Sequence, residues 1–304
     1  MTALTETQLP ALDEYPTRKD RAPALLYRTH PTVWGPVEDG PCTTGEIEAY
    51  AAAGYVRAGG LLTGDEIRGL AAELDRLRGD DGMLVDDRTA IAEGLDGAQV
   101  RSVYEVHRIS DAFAELARDP RVVDRARQIL GSDVYLYQTR ATHVPALDDV
   151  DVHWHSDFET WHAEDGMPAP RAVAVSIALT DAVEDNGALR VMPGSHKTFV
   201  SCVGETPEDH YLDAGKSQEA GLPDDGSLSI MTAMYGVDVL DAEAGAVTVC
   251  DANLMHGTAA NATSHPRSEL LLVFNSVENT CVDPFSADAP RPAFLGAREA
   301  EPIR

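Results

Sequence analysis

His155-Ser156-Asp157 sets an imidazole and a carboxylate two residues apart. On an extended strand such a pair projects from one face, so both groups could grip one metal ion. The third ligand must come from elsewhere, and the best candidate is His256, in Asn253-Leu254-Met255-His256-Gly257. Two imidazoles and a carboxylate fill one face of an octahedron and leave three positions open, the arrangement of non-haem Fe(II) oxygenases. A His-x-Asp pair alone is a weak signal. Joined to a distant His, with Arg267 eleven residues beyond it, the signal becomes strong. A 2-oxo acid could chelate two open positions, O2 could take the last, and the Arg267 guanidinium could fork onto the far carboxylate. The cofactors expected are therefore Fe(II), 2-oxoglutarate and O2. Iron and co-substrate carry the oxidation, and the protein holds the substrate C–H bond in reach. Halogenases of this type lack the carboxylate so that chloride can bind iron; the presence of Asp157 favours hydroxylation.

The elements that must position these residues divide by pattern. Residues 1–42 are rich in Pro, Thr and charge and read as an extended arm lying on the domain. Glu46 to Tyr55 reads as a short helix. Thr63-Gly-Asp-Glu66 is a capping box, followed by Ile67, Leu70, Ala71, Leu74 and Leu77 at helical spacing. Residues 79–99 are acidic and contain glycine, so a loop is expected. A strand is expected within 100–109, then helices near 111–118 and 121–130. From residue 133 the pattern turns to β: 134–140, 172–179, 188–192, 245–250 and 269–274 read as strands. Helices first and many short strands after predict a mainly β fold with flanking helices, a double-stranded β-helix (jelly roll, cupin-like). The expected organisation is one domain over 1–304: the arm 1–42, a mostly helical flank 43–132, a jelly-roll core 133–280 with an insertion at 204–236, and a tail 281–304.

Composition bounds the partners. A net charge of −27 would repel nucleic acid. No apolar run is long enough for a membrane span, and the N-terminal residues lack a basic-then-apolar leader. Cys42, Cys202, Cys250 and Cys281 form no CxxC and read as free thiols of a reducing cytoplasm. A homodimer is left open.

The stretch Trp154-His-Ser-Asp-Phe-Glu-Thr-Trp-His-Ala-Glu-Asp-Gly-Met-Pro168 closely resembles the ectoine hydroxylases of the phytanoyl-CoA dioxygenase superfamily. Asp185-Asn-Gly-Ala, Met192-Pro-Gly-Ser-His-Lys197, Met255-His-Gly257, Pro266-Arg-Ser268 and Val273-Phe-Asn-Ser-Val-Glu-Asn279 are similar too, and the likeness covers nearly the whole chain. It implies a jelly roll, Fe(II), 2-oxoglutarate and hydroxylation of a small zwitterion. It implies His155, Asp157 and His256 as ligands and Arg267 as the 2-oxoglutarate anchor. Arg140 and Gln138 match positions near co-substrate and substrate, and Trp161 matches a pocket tryptophan.

The departures fall in the substrate pocket. Where the family clamps the ectoine ring between phenylalanines, this chain has Cys250 and Leu271; an Asn becomes Thr142. An aromatic pair over a cationic ring contributes about 1–2 kcal/mol, so its loss predicts weaker ectoine binding. The reading favoured on sequence is hydroxylation of a different free amino acid, citrulline-, arginine- or lysine-like, in a natural-product pathway. Asp148, Asp149 and Asp151 could favour a cationic or amide-bearing tail. The alternative is ectoine 5-hydroxylation. A non-catalytic metal-binding jelly-roll module is a third reading, and it gives no reason for Arg267 to stand beside a complete triad.

Overall fold

The apolar runs at 172 and 269 become neighbours at the centre of a seven-stranded antiparallel sheet. The computed structural model describes residues 13–19, 22–94, 97–207 and 220–304. In chain order its elements are β1 (Ala24–Tyr27), α1 (Thr44–Ala53), β2 (Tyr55–Ala58), α2 (Gly64–Arg78), β3 (Thr89–Gly94) and β4 (Gly97–Tyr104). Then come α3 (Val106–Ile109), α4 (Asp111–Leu116), α5 (Pro120–Leu130), β5 (Val134–Val144), β6 (Val152–His155), α6 (Asp157–Asp165) and β7 (Ala172–Ala178). The chain continues through β8 (Leu189–Val191), β9 (Thr198–Ser201), α7 (Asp225–Tyr235), β10 (Asp238–Leu240), β11 (Val247–Asp251), β12 (His256–Thr258) and β13 (Arg267–Ser276). The large sheet runs β2-β11-β7-β13-β5-β4-β3 and a four-stranded sheet runs β10-β8-β12-β6.

The two sheets enclose one apolar cluster. Ala174, Cys250 and Val273 from the large sheet meet Val191 and Leu240 from the small one, with Phe158 and Trp161 of α6 beside them. A larger cluster fills the other face of the large sheet, where Ile67, Leu70, Leu74 and Leu77 of α2 and Val122, Val123, Ala126 and Ile129 of α5 pack on Val173, Val175, Leu270 and Leu272. Strands buried on both faces read as continuous apolar runs, which is why β7 and β13 were visible in the sequence. This is the jelly roll with flanking helices that the strand pattern predicts.

The stretch 43–132 is mostly helical and includes the strand expected within 100–109, but it holds more strand than expected. It supplies β2, β3 and β4 to the large sheet as well as five helices. The 79–99 stretch, expected as a loop, holds a short 3-10 turn at Asp81–Val85 and the β3–β4 hairpin. Strands of four residues, or ones rich in Gly, Ala and Glu, carry too little alternation to stand out. Of the 204–236 insertion, residues 208–219 lie outside the described residues; α7 occupies its C-terminal part, as expected.

Buried ion pairs bind both chain ends to the core. In the arm, β1 pairs with β9. Arg28 reaches both oxygens of Asp251, at the end of β11, at 2.8 Å. Arg18 donates to Glu159 at 2.9 and 2.7 Å and pairs with Glu164, both on α6. From the tail, Arg291 meets Asp165 at 2.5 Å and the Leu295 carbonyl accepts from Gln138 Nε2 at 2.6 Å. Charges this deeply buried persist only when paired.

Candidate metal centre

Three potential ligands arrive from two strands and a helix start. His155 ends β6 and His256 begins β12, and the two are directly paired across the antiparallel ladder. Asp157 is the first residue of α6, with Ser156 as its N-cap. The pair at 155 and 157 therefore does not share an extended strand, as its spacing suggested. The chain turns at Ser156, where the Phe158 N–H bonds the Ala252 carbonyl at 2.9 Å. That turn still carries the carboxylate back toward the imidazoles. One ligand atom from each of the three residues lies within 4.8 Å of the others, the geometry needed to hold a metal ion.

Both imidazoles are oriented from behind. His155 Nδ1 lies 2.8 Å from the His153 carbonyl and His256 Nδ1 lies 2.9 Å from the Leu254 carbonyl. A carbonyl only accepts, so each Nδ1 carries a proton and Nε2 is the nitrogen each ring presents to a metal. The two Nε2 atoms stand 3.7 and 3.9 Å from oxygens of Asp157. Burial pushes the Asp157 pKa up, but His256, His155 and Arg140 outweigh it and bring it down to about 2. Burial, then His155, keeps His256 below the ordinary imidazole value. An ionised carboxylate beside imidazoles that present Nε2 is the donor set a divalent metal requires.

The remaining site residues lie on the inner face of the large sheet. Cross-strand partners share a face, and the register places Thr142 beside Glu269, Arg140 beside Leu271 and Gln138 beside Val273. On the other flank of β13, Leu271 meets Ser176 and Val273 meets Ala174, which in turn pairs with Cys250. Arg267, Glu269, Leu271 and Val273 thus alternate down one strand toward the core. Arg267 is buried, pairs with Glu269 at 3.1 Å, and keeps its Nε without a partner among the described residues. The Arg140 Nε is likewise buried and unpartnered. Burial works against the Arg140 charge, but Tyr104, Glu269 and Asp157 outweigh it and raise its pKa.

Three sequence-predicted residues sit differently from a simple pocket lining. Trp161 is one helical turn beyond Asp157 but only 2% exposed, its ring edge-on to Tyr137 at 5.1 Å. Gln138 already donates its amide to the tail at Leu295. The Thr142 hydroxyl is shared with Ser102 at 3.1 Å. Cys250 and Leu271 join the cluster around Trp161, and burial, with Asp157, Asp251 and Glu269 adding, pushes the Cys250 thiol up to about 12, so it is neutral. Asp148 is not a free acid at the entrance, because Arg101 holds it at 2.5 Å. Asp149 and Asp151 line a cleft of about 590 Å³ to which none of the three ligands contributes. Glu269 went unnoticed in the sequence; its signal was a carboxylate two residues after Arg267, opening an apolar run.

Residues 50–268 match the family model described as phytanoyl-CoA dioxygenase (PhyH). An ectoine dioxygenase of Nocardia farcinica is 46% identical over 301 residues, covering 99% of each chain. One from Streptomyces coelicolor is 46% identical over 302 residues, 99% of this chain and 100% of the relative. Crystal structures of EctD from S. alaskensis superpose with a TM-score of 0.85. The one with 2-oxoglutarate and 5-hydroxyectoine is 34% identical and covers 96% of both chains. The one with bound Fe is 33% identical and covers 96% of this chain and 98% of that one.

Proposed function

This chain is an ectoine dioxygenase-like member of the phytanoyl-CoA dioxygenase family, and on that premise we propose that it hydroxylates an unactivated C–H bond of a small zwitterion, ectoine first among candidates. It is a 2-oxoglutarate-dependent dioxygenase using Fe(II) and O2. The observation that carries this reading is the convergence of His155, Asp157 and His256 within 4.8 Å. Two imidazoles and one carboxylate are a donor set suited to non-haem Fe(II) with open positions. When bound, iron and 2-oxoglutarate supply the oxidising chemistry that converts C–H to C–OH.

The residues of the chain do the rest. The His153 and Leu254 carbonyls fix the tautomers of the two imidazoles. The buried, unpartnered Nε of Arg267 suits the far carboxylate of 2-oxoglutarate, which a guanidinium edge grips through two parallel bonds. Arg140 offers a second buried cation for a substrate carboxylate. Apolar walls from Leu271, Ala174 and Val273 exclude water from the reacting bond.

A second reading, hydroxylation of a free citrulline-, arginine- or lysine-like amino acid, is favoured by one specific observation. Cys250 and Leu271 bring a thiol and an aliphatic chain to the apolar cluster between the sheets, and these offer no π face to a flat cationic ring. One experiment separates the two. The Fe(II)-loaded protein is incubated with 2-oxoglutarate, O2 and, singly, ectoine, L-citrulline, L-arginine or L-lysine, and succinate and hydroxylated product are quantified. Product matching succinate one-to-one with ectoine alone supports the first reading. Coupled turnover of an amino acid without ectoine turnover replaces it with the second. Uncoupled background with every compound sinks both.

A further inference from the structure

Building on the proposed zwitterion hydroxylase, we infer that Glu269 is the specificity-determining residue that receives the substrate's positively charged nitrogen. Among the described residues that β2, β11, β7, β13, β5 and β4 turn toward the site, Glu269 is the one carboxylate. The register sets it between Thr142 and Ala178 and one pleat from Leu271 and Arg140. Its side chain is 23% exposed although it stands inside the barrel, close to the 25% of the Asp157 side chain. Glu269 lines a cavity of about 30 Å³ between the two sheets, together with Arg267, Ser176, Ala178, Leu189 and Leu240. Both Glu269 and Asp157 raise the pKa of Arg140 and of Cys250, so each of these two side chains is near both carboxylates.

The contacts of Glu269 leave it half used. Arg267 Nη1 approaches Oε2 at 3.1 Å and the Ser176 hydroxyl donates to the same oxygen at 3.5 Å; Oε1 takes neither. A carboxylate on Arg267 is a liability to a 2-oxoglutarate dioxygenase unless it serves another purpose, because it competes with the anionic co-substrate for the guanidinium. The charges supply that purpose. Arg267 and Arg140 carry two positive charges against the single negative charge of Glu269. The far carboxylate of 2-oxoglutarate on Arg267 balances one cation. A substrate carboxylate on Arg140 and a substrate ammonium or amidinium on Glu269 then leave every buried charge with a partner, which a low-dielectric site demands. With Cys250 and Leu271 standing where an aromatic clamp would be, Glu269 does by charge what that clamp would do by its π face.

The test measures binding, so it does not depend on turnover. Calorimetry on the Fe(II)-loaded protein under nitrogen, saturated with 2-oxoglutarate, gives Kd for ectoine and for the amino acids. Glu269→Gln keeps the size and removes the charge. A lost charge-assisted hydrogen bond predicts that Kd for the zwitterion rises about tenfold or more, while Kd for 2-oxoglutarate stays within about threefold. An unchanged zwitterion Kd overturns the inference. So does a rise confined to 2-oxoglutarate, which would make Glu269 only a brace for Arg267. If the Gln variant does not fold, the unaltered protein decides: an L-amino acid must bind about tenfold tighter than the 2-hydroxy acid of the same skeleton, and equal affinity overturns the inference. A wild type that binds zwitterions without forming product fails the proposed function and still decides Glu269. A wild type that binds none of them overturns the inference.

Discussion

The imidazoles of His155 and His256 face each other across paired antiparallel strands, ring centroids 4.2 Å apart, each held from behind by a carbonyl two residues earlier in its own chain. The ladder fixes their spacing before any metal arrives, and Asp157 completes the set from the start of a helix. Such a site is pre-organised, so loss of one ligand cannot be made good by movement of the others. Asp157→Ala therefore loses iron and turnover together. Outer-shell changes at metal sites already cost about 10- to 100-fold, and removal of a ligand costs more. Iron content after gel filtration and 2-oxoglutarate consumption check this; undiminished iron with undiminished turnover rules the triad out.

Arg267 is asked for geometry as well as charge. Glu269 occupies its Nη1 side, leaving the edge with the unpartnered Nε for the co-substrate. Lys keeps the charge but lacks the fork. Arg267→Lys thus raises KM for 2-oxoglutarate by about tenfold, with a smaller effect on KM for the substrate, as measured by initial rates at varied 2-oxoglutarate.

Much of the fold, and the His155–Asp157 pair, was legible because it is local. The β7 and β13 runs are continuous apolar stretches, and the Thr63–Glu66 capping box sits where the sequence places it. His155, Asp157 and His256 could be named from type and spacing. What could not be read depends on distance along the chain. Arg18 meets Glu159 and Arg28 meets Asp251 across intervals that no periodicity spans. Glu269 looked like the polar first residue of a strand, and only the register with Thr142 and Ala178 turns it inward. The turn at Ser156 is invisible because His-Ser-Asp suits an extended strand equally well.

Arg28 ties the arm to the segment that delivers His256. Besides Asp251 it donates to the carbonyls of Pro31 and Pro170, at 2.6 and 2.9 Å, and Asp251 also accepts from the Asn253 N–H at 2.8 Å. Arg28→Met leaves a buried carboxylate without its guanidinium, at a cost of about 3–5 kcal/mol. Urea unfolding should show that loss, whereas Arg121→Ala, whose ion pairs are exposed, should cost less than about 1 kcal/mol.

Three histidines outside the metal centre predict an acid-side loss of stability. Burial lowers His107, His143 and His196 to about 4, with nearby arginines adding to the effect, Asp75 opposing it at His143 and Asp251 at His196. Their folded pKa values lie below the unfolded value near 6.5. The unfolded chain therefore takes up protons between about pH 6.5 and pH 4 that the folded protein refuses. Stability is full above pH 6.5 and falls as pH drops through that window, by at most about 1.4 kcal/mol per pH unit for each histidine. Urea midpoints at pH 7.5 and 5 should differ in that direction, and His143→Asn should flatten the slope. Equal midpoints would mean that these rings are not held neutral.

Gly257 follows His256 at the register shift between β12 and β6. A Cβ there would stand 2.7 Å from the Val152 carbonyl oxygen and 3.3 Å from the carbonyl carbon and oxygen of His153, all backbone atoms that cannot swing aside. Gly257→Ala must therefore push β6 away from β12, at an overpacking cost of about 1–3 kcal/mol. That displacement separates His155 from His256 with all three ligands still present, so iron affinity should fall about tenfold, by analogy with other changes that misplace a ligand. Gly45→Ala is the control of opposite sign. Nothing lies within 4 Å of its added Cβ, and its place in the first turn of α1 predicts unchanged iron affinity and a melting temperature equal to or above that of the wild type. If Gly257→Ala binds iron as tightly as Gly45→Ala does, the strand contact does not set the spacing of the two imidazoles.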